Sequence, residues 1–582
     1  MSKTGEIISY LETYKSDIMQ FTRENEVGNM PVLTEKLFCL FEKTGNRLQY
    51  EKAYFLRRKY LGAFAMRAIF KQGNEGIKKL EEVIINICDE TCWALPAHVN
   101  RENDSNWRIY IDLFASETAG SLSEIIRLLD GRLSKKVRER VRKEVYRRVL
   151  TPFYHTPAPY SHWEHCHHNW CAVCCGSIGS ASICLMADQP EKLNICLLRI
   201  CDSLTHYIAG FCDDGGLSEG LSYYTYGMTY YTAFARMLFD YSQGKIDLMA
   251  SQKCQRIAEF QQKCFFPGGR TLSFSDGDSS DYFKMGLTSF LAMRYQTVEI
   301  PNMKSVNSFS ADKCFRWAAI YRDYFWTKEY LDHISSNDDK NCIKTICQKE
   351  GHLALPDLQW SIAKSENGIA MAAKGGHNEE SHNHNDIGHF VYAAGGDMLL
   401  TDLGAGEYTR EYFAEGRYHI LCNHSFGHSV PIINGKGQNP GKEYACDFFK
   451  TDGNGRTIVS FHRAYEKNSI KKLIRDFTFD MKKGNLIIED QIETSDKTQC
   501  IKETLVTQIK PKIQNKLIVV EGKEYNGFVE IEGAAGRIEV ECKAHSNHKG
   551  KKEKVYLIRW SVPIETKACC RMKVSASKKT NE

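Results

Sequence analysis

The chain lacks the features that carry a protein into a membrane or onto nucleic acid. No run reaches the roughly 18 to 20 apolar residues that span a bilayer. The amino terminus, Met1 to Tyr10, is polar, carries Glu6 early and develops no apolar stretch of signal-peptide length, so a cytoplasmic protein is expected. Charge of one sign is missing too. Against 77 basic residues stand 72 acidic ones, a net charge of +5, too little for a nucleic-acid footprint over the whole surface. Neither a membrane nor a nucleic acid is expected as a partner, and the lysine-rich stretch Lys549 to Lys552 reads as a solvated turn. The 22 cysteines make no disulfide framework: Cys174-Cys175 and Cys569-Cys570 are adjacent, and many others sit inside apolar runs. They read as reduced thiols. The single CxxC, Cys171 to Cys174, has no second pair at zinc-finger spacing, and no letter-level repeat marks a named solenoid.

What is present divides in two. At 582 residues, 42% apolar, the chain exceeds one core and predicts at least two domains. Up to about residue 350 the apolar period is helical. Leu193, Leu197, Ile200, Leu204 and Ile208 share one helix face, and Asp188-Gln189-Pro190-Glu191 before them is a helix start. Residues 176 to 187 read as the partner helix of a hairpin, and further helices are expected over 54–70, 77–95, 122–150 and 226–241. Antiparallel helices in this number predict stacked hairpins, open as a solenoid or closed into a toroid. After about residue 355 the period becomes two. Runs at 485–493, 516–521, 537–543 and 555–560 are β-branched, and Asp452-Gly453-Asn454-Gly455 is a hairpin turn. An antiparallel β-sandwich over 351–582 is expected, with a division near 480 as an option.

The densest chemistry lies at Ser381-His382-Asn383-His384-Asn385-Asp386, followed by Asp402 and by His424 to His428. His382, His384 and Asp386 alternate, so on an extended backbone they project from one face and converge on one ion or substrate. Two imidazoles and a carboxylate suit zinc. In the helical half, His162 to Trp170 packs four imidazoles, Glu164 and Asn169 ahead of a helix, and Asp213 to Gly227 crowds Tyr223, Tyr224 and Tyr226 behind a glycine-rich turn. Ser275 to Asp281 resembles a calcium loop without the downstream Glu and reads as a polar loop lining the same cleft.

Asn169-Trp170, Asp214 to Tyr224, His382 to Gly388, Asp402-Leu403-Gly404 and Gly427 to Gln438, in that order, resemble the heparinase II/III family of polysaccharide lyases. The resemblance implies a helical (α/α) incomplete toroid followed by an antiparallel β-sandwich, with the active site in the cleft between them. It also implies β-elimination on uronic-acid glycans of the glycosaminoglycan or alginate type. On it, Asn169 neutralises the uronate carboxylate, Tyr223 is the proton-transfer tyrosine with Tyr224 and Tyr226 as competitors, and His382 is a catalytic or charge-neutralising imidazole. His384, Asp402 and His428 match a zinc shell that braces the site. His168, Trp170, Glu219, Tyr226, Arg417 and Tyr418 are read as substrate contacts, Arg417 by a bidentate grip. The expected partner is an acidic oligosaccharide or polysaccharide; homo-oligomers are compatible with the chain.

Two departures stand out. Some alginate-acting relatives carry Asn-His where this chain has Asn169-Trp170, so an imidazole beside the Asn would have to come from His165, His167 or His168. A plain hairpin turning near Gly395-Gly396 puts Asp402 opposite about His389, leaving His384 roughly 16 Å further along a straight strand; the loop must curl back for the shell to close. A glycoside hydrolase recruiting Asp213, Asp214, Glu219, Asp276 or Asp278 is the alternative, and a non-catalytic carbohydrate-binding protein the third reading.

Overall fold

The computed structural model describes residues 2–336, less 72 and 75, and residues 351–580. Two compact units result. The first comprises Met1–Phe211, Tyr224–Ala258 and Tyr282–Thr345 and is an incomplete (α/α) toroid of helical hairpins. Helix Lys3–Glu24 packs on both Leu48–Phe70 and Trp317–Ser336, so the unit's first and last helices meet. Helix Asn169–Leu185 is apolar or small on every side and almost wholly buried, as a helix without a polar face must be. Its small residues admit close neighbours: a Cβ on Gly176 would lie 2.8 Å from the Tyr230 carbonyl oxygen.

Helix Pro190–Ala209 starts at the expected proline and buries Leu193, Leu197, Ile200 and Leu204, with Tyr207 rather than Ile208 completing the face. The helix expected over 122–150 is broken. Leu113–Leu128 ends, Gly131 takes a positive φ of 78° in the turn, and Lys135–Val145 begins afresh. The helix expected over 77–95 stops at Cys88.

The second unit comprises Cys212–Tyr223, Glu259–Asp281 and Ile346–Glu582. The expected boundary at 350 marks where the strands begin, yet two segments from the helical half belong with the strands. Among the described residues an eight-stranded, a five-stranded and a four-stranded sheet and a two-stranded ribbon, all antiparallel, make up this unit. Alternation does what period two predicts: in Leu486–Thr494, Leu486, Ile488 and Ile492 point into the core, each such side chain stabilising by about 1.5–3 kcal/mol. Residue 480 lies between strands Ile470–Phe479 and Leu486–Thr494, which pair with each other over one continuous core. The sandwich is not divided there. Asp452 accepts the amides of Asn454 (2.7 Å) and Arg456 (3.0 Å) in the expected hairpin turn.

Candidate active site and metal centre

Strand Ile369–Lys374 pairs with Phe390–Ala394, and the residues between them form the loop that carries the histidine motif. Alternation survives locally. Asn385 faces one way, donating to the Gln438 carbonyl (3.2 Å), while Gln438 clasps Ile387 through both its amide and its carbonyl (2.7 and 2.9 Å). His384 and Asp386 face the other way. His382 does not join them: its φ of 56° is left-handed and turns its imidazole to Asp276 instead. Extended geometry thus fails at one residue, and the three side chains do not meet at one ion.

The loop does curl back. Its last turn, with His389 N–H donating to the Asp386 carbonyl (2.9 Å), brings His384, Asp386, Asp402 and His428 together, one ligand atom from each lying within 4.8 Å of all the others. Asp402 also meets His389, with Oδ2 3.1 Å from Nε2, although the hairpin register shifts between Tyr392 and Ala393. The motif resemblance named three of the four as the zinc shell, and the fourth, Asp386, is the carboxylate that alternation had grouped with His382 and His384.

Four buried atoms in this cluster, His384 Nδ1, Asp386 Oδ2, Asp402 Oδ2 and His428 Nδ1, make no hydrogen bond. Each other ring nitrogen is committed outward, His384 Nε2 to Asp276 Oδ1 (3.1 Å) and His428 Nε2 to the Cys422 carbonyl (2.7 Å). That leaves Nδ1 lone pairs aimed at the cluster, the arrangement of metal-ligating histidines. Asp386 gives its other oxygen to buried Lys374 (2.7 Å), and Asp402 gives its own to Gly404 N–H (2.7 Å). Two imidazoles and two carboxylates with orphaned, converging lone pairs fit a divalent cation. Burial acts to raise the Asp402 carboxyl, yet the adjacent His389 and His428 imidazoles hold it well below the usual carboxylate range. Burial acts to lower His428, but Asp402 and Asp386 carry it upward.

Asp276, which the sequence reading placed in a polar loop and named only as a carboxylate of the alternative hydrolase, is the hub. Fully buried, it accepts on Oδ1 from His384 Nε2 and the Tyr412 hydroxyl, and on Oδ2 from His382 Nδ1 (2.5 Å) and the Tyr408 hydroxyl (2.9 Å). Burial would raise its carboxyl; the bonds from His382 and His384 outweigh that and hold it well below the ordinary range. Gly404 makes room for this loop. A Cβ there would sit 2.0 Å from the Gly277 carbonyl oxygen, which instead accepts Ala405 N–H (3.2 Å).

Tyr223 completes the array. Its ring stacks on the His382 imidazole, centroids 4.0 Å apart, and its hydroxyl bonds that of Tyr408. Tyr408 must donate to Asp276, because a carboxylate only accepts, so its oxygen accepts the Tyr223 proton. Burial, then Asp276 and Tyr223, push the Tyr408 phenol well above its usual value. The competing tyrosines stand elsewhere: Tyr224 is fully buried with its hydroxyl on the Ala258 carbonyl (3.4 Å), and Tyr226 donates to Glu117 beneath the Arg316 guanidinium.

Other expected substrate contacts are engaged internally. Glu219, 1% exposed, lies 3.5 Å from His382 Nε2 and accepts Ser381 Oγ–H. Arg417 grips the Asn383 carbonyl through Nε and Nη2 and the Tyr412 carbonyl through Nη1, so its fork is directed at backbone. Tyr418 accepts from Asn383 (3.4 Å).

In the helical unit Asn169 opens its helix and is 1% exposed. His165 and His167 gather on His206 (ring centroids 4.8 and 5.9 Å), and His168 sits by the Cys166 thiol. The imidazoles beside Trp170 are others, His98 at 4.9 Å and His162 at 5.5 Å between ring centroids. His98 comes from a turn some seventy residues earlier, which no local motif reading reaches.

Residues 348–561 match the family model described as Heparinase II/III-like, C-terminal. No curated protein matches the chain by sequence. Among solved structures, heparinase III superposes at a TM-score of 0.64 with 12% identity, over 91% of this chain and 78% of its own. The heparan sulfate lyase of Pedobacter heparinus gives 0.57, with 12% identity over 98% and 89%. The Streptomyces coelicolor chondroitin AC lyase gives 0.56, with 11% identity over 97% and 79%. At such identities the likeness is one of fold. The motif resemblance from His382 to Gln438 falls within the residues that match this family model.

Proposed function

We propose that the protein is a polysaccharide lyase that cleaves uronic-acid-containing glycans by β-elimination, leaving a 4,5-unsaturated uronate. The observation that carries this is the stack of Tyr223 on His382, wired through Tyr408 to a single oxygen of Asp276. Elimination takes the C5 proton of a uronate and expels the oxygen on C4. It needs a phenol or imidazole within proton-transfer reach and donors for the enolate, each worth about 10² to 10⁴-fold for general acid–base groups. The Tyr223 proton is directed to Tyr408, and His382 is held at Nδ1 by Asp276 with Glu219 3.5 Å from its Nε2. Asn169 takes the uronate carboxylate on the motif resemblance.

A zinc ion is the metal we assign to His384, Asp386, Asp402 and His428, and it would supply fixed positive charge that braces the loop. Through His384 and Asp276 that bracing reaches His382. The hydrolase reading loses ground, since its carboxylates are engaged: Asp276 and Glu219 with His382, Asp214 with the amides of Asp357 and Leu358, and Asp278 with Lys549. A reducing, cytoplasmic compartment, favoured by the cysteine pattern, makes imported oligosaccharides the substrates; finding the protein outside cells would count against it. Ultraviolet absorbance during incubation with heparan, chondroitin, hyaluronan and alginate oligosaccharides tests the lyase. A rise supports it, and new reducing ends without a rise would favour the hydrolase.

A further inference from the structure

The two imidazoles flanking Trp170 belong to neither catalytic array, and one of them is locked. His98 Nδ1 lies 2.7 Å from Oδ2 of Asp112, a carboxylate with no solvent exposure. A carboxylate only accepts, so Nδ1 bears the hydrogen, and in the neutral ring Nε2 carries the lone pair. Asp112 does not need the imidazole to be satisfied. Its Oδ1 accepts Ala115 N–H (2.7 Å), capping helix Leu113–Leu128, and its Oδ2 accepts Leu95 N–H (3.1 Å). Backbone from two elements therefore fixes the carboxylate, and the carboxylate fixes the ring. Phe114 lies nearly parallel to that ring at 6.0 Å. The His98 side chain keeps 12% of its exposure, and Nε2 makes no hydrogen bond among the described residues.

We propose that His98, His162 and Trp170 form a saccharide subsite on the helical unit, in which Nε2 of His98 accepts a sugar hydroxyl while the Trp170 indole covers the sugar's apolar face. The proposal rests on the lyase reading and deepens it, because it says which sugars are taken. Pyranose rings present C–H faces that pack on aromatic rings and hydroxyl edges that need fixed partners. An acceptor lone pair in a fixed tautomer welcomes a hydroxyl and repels sulfate oxygens, which are acceptors themselves. Burial and the neighbouring His98 lower the His162 imidazole, which disfavours a charge on the second wall. The subsite selects a residue unsulfated at the position facing His98.

The test compares wild type with His98→Ala and His98→Gln on oligosaccharide pairs differing only in sulfation, at a pH above the imidazole range. With an alanine, KM for the unsulfated member rises about tenfold while kcat changes little, the signature of lost uniform binding, and the preference over the sulfated member disappears. Glutamine restores much of both, since its amide can donate to Asp112 and its carbonyl can accept the hydroxyl. A folded His98→Ala protein with KM and preference unchanged would overturn the subsite. Should the wild type form no unsaturated product, the lyase reading falls by itself. Calorimetric binding of the same oligosaccharides then judges the subsite, which stands only if His98→Ala weakens binding of the unsulfated member about tenfold.

Discussion

Tyr223 lies flat against His382, 23° between the ring planes, with their polar atoms tied to one carboxylate by separate routes. Stacking sets the distance between the two groups, and the shared carboxylate sets their orientation. Tyr223→Phe removes the hydroxyl and leaves the stack. Turnover should fall by about 10² to 10⁴-fold with saccharide binding retained, measured as initial rates beside calorimetric affinity. Loss of binding in step with rate would mean that the tyrosine holds substrate and transfers no proton.

Tyr408→Phe breaks the link while sparing Tyr223. The Tyr223 hydroxyl then has no Tyr408 oxygen to receive its proton, so kcat should drop by about tenfold or more with KM nearly constant. A pH–rate profile of the variant identical in shape to the wild type would argue against the link.

Metal removal should act on stability before chemistry. A chelator should lower the melting temperature, because bound metal stabilises only the folded state, and elemental analysis should give one ion per chain. His384→Ala should abolish that ion and also perturb His382, whose partner Asp276 loses a donor. A chelator-insensitive melt with no metal found would remove zinc from the account.

Lys364 gives a pH test away from the site. Its side chain is 3% exposed, and burial pushes the amine down to about 8 against a partial offset from Cys264. Between that value and the usual lysine range the unfolded chain binds more protons than the folded one. This residue's contribution therefore makes stability rise as pH climbs from about 8 to about 10.4. Below that window a buried charge is carried at full cost. Lys364→Met should stabilise the protein at neutral pH by about 1–3 kcal/mol, with the gain shrinking toward pH 10 in denaturant titrations. An equal gain at both ends would show that packing, not charge, was responsible.

How much of this was legible depended on distance along the chain. His384, Asp402 and His428 stood out because imidazoles and carboxylates at that density serve no packing purpose, and strand Leu486–Thr494 stood out because its alternation is a direct record of its two faces. Asp276 was hidden: it lies 106 residues from His382, in a loop whose spacing suggested calcium. Tyr408 carried no pattern at all. His382 misled in the opposite sense, since alternation placed it with His384 and only its left-handed backbone separates them. The break after Leu128 was misread because apolar residues continue at helical spacing through a turn that Gly131 makes.

The assignment of Cys212–Tyr223 and Glu259–Asp281 to the strand-rich unit bears on how the molecule can be made. A ribosome delivers Tyr223 and Asp276 well before any strand that completes their surroundings exists. Cutting the gene at residue 350 would give a carboxy-terminal product missing both. The carboxy-terminal half of the gene therefore lacks two segments of the second unit, and the last strand, Lys567–Lys578, which pairs in the middle of the eight-stranded sheet, must leave the ribosome before that unit can close.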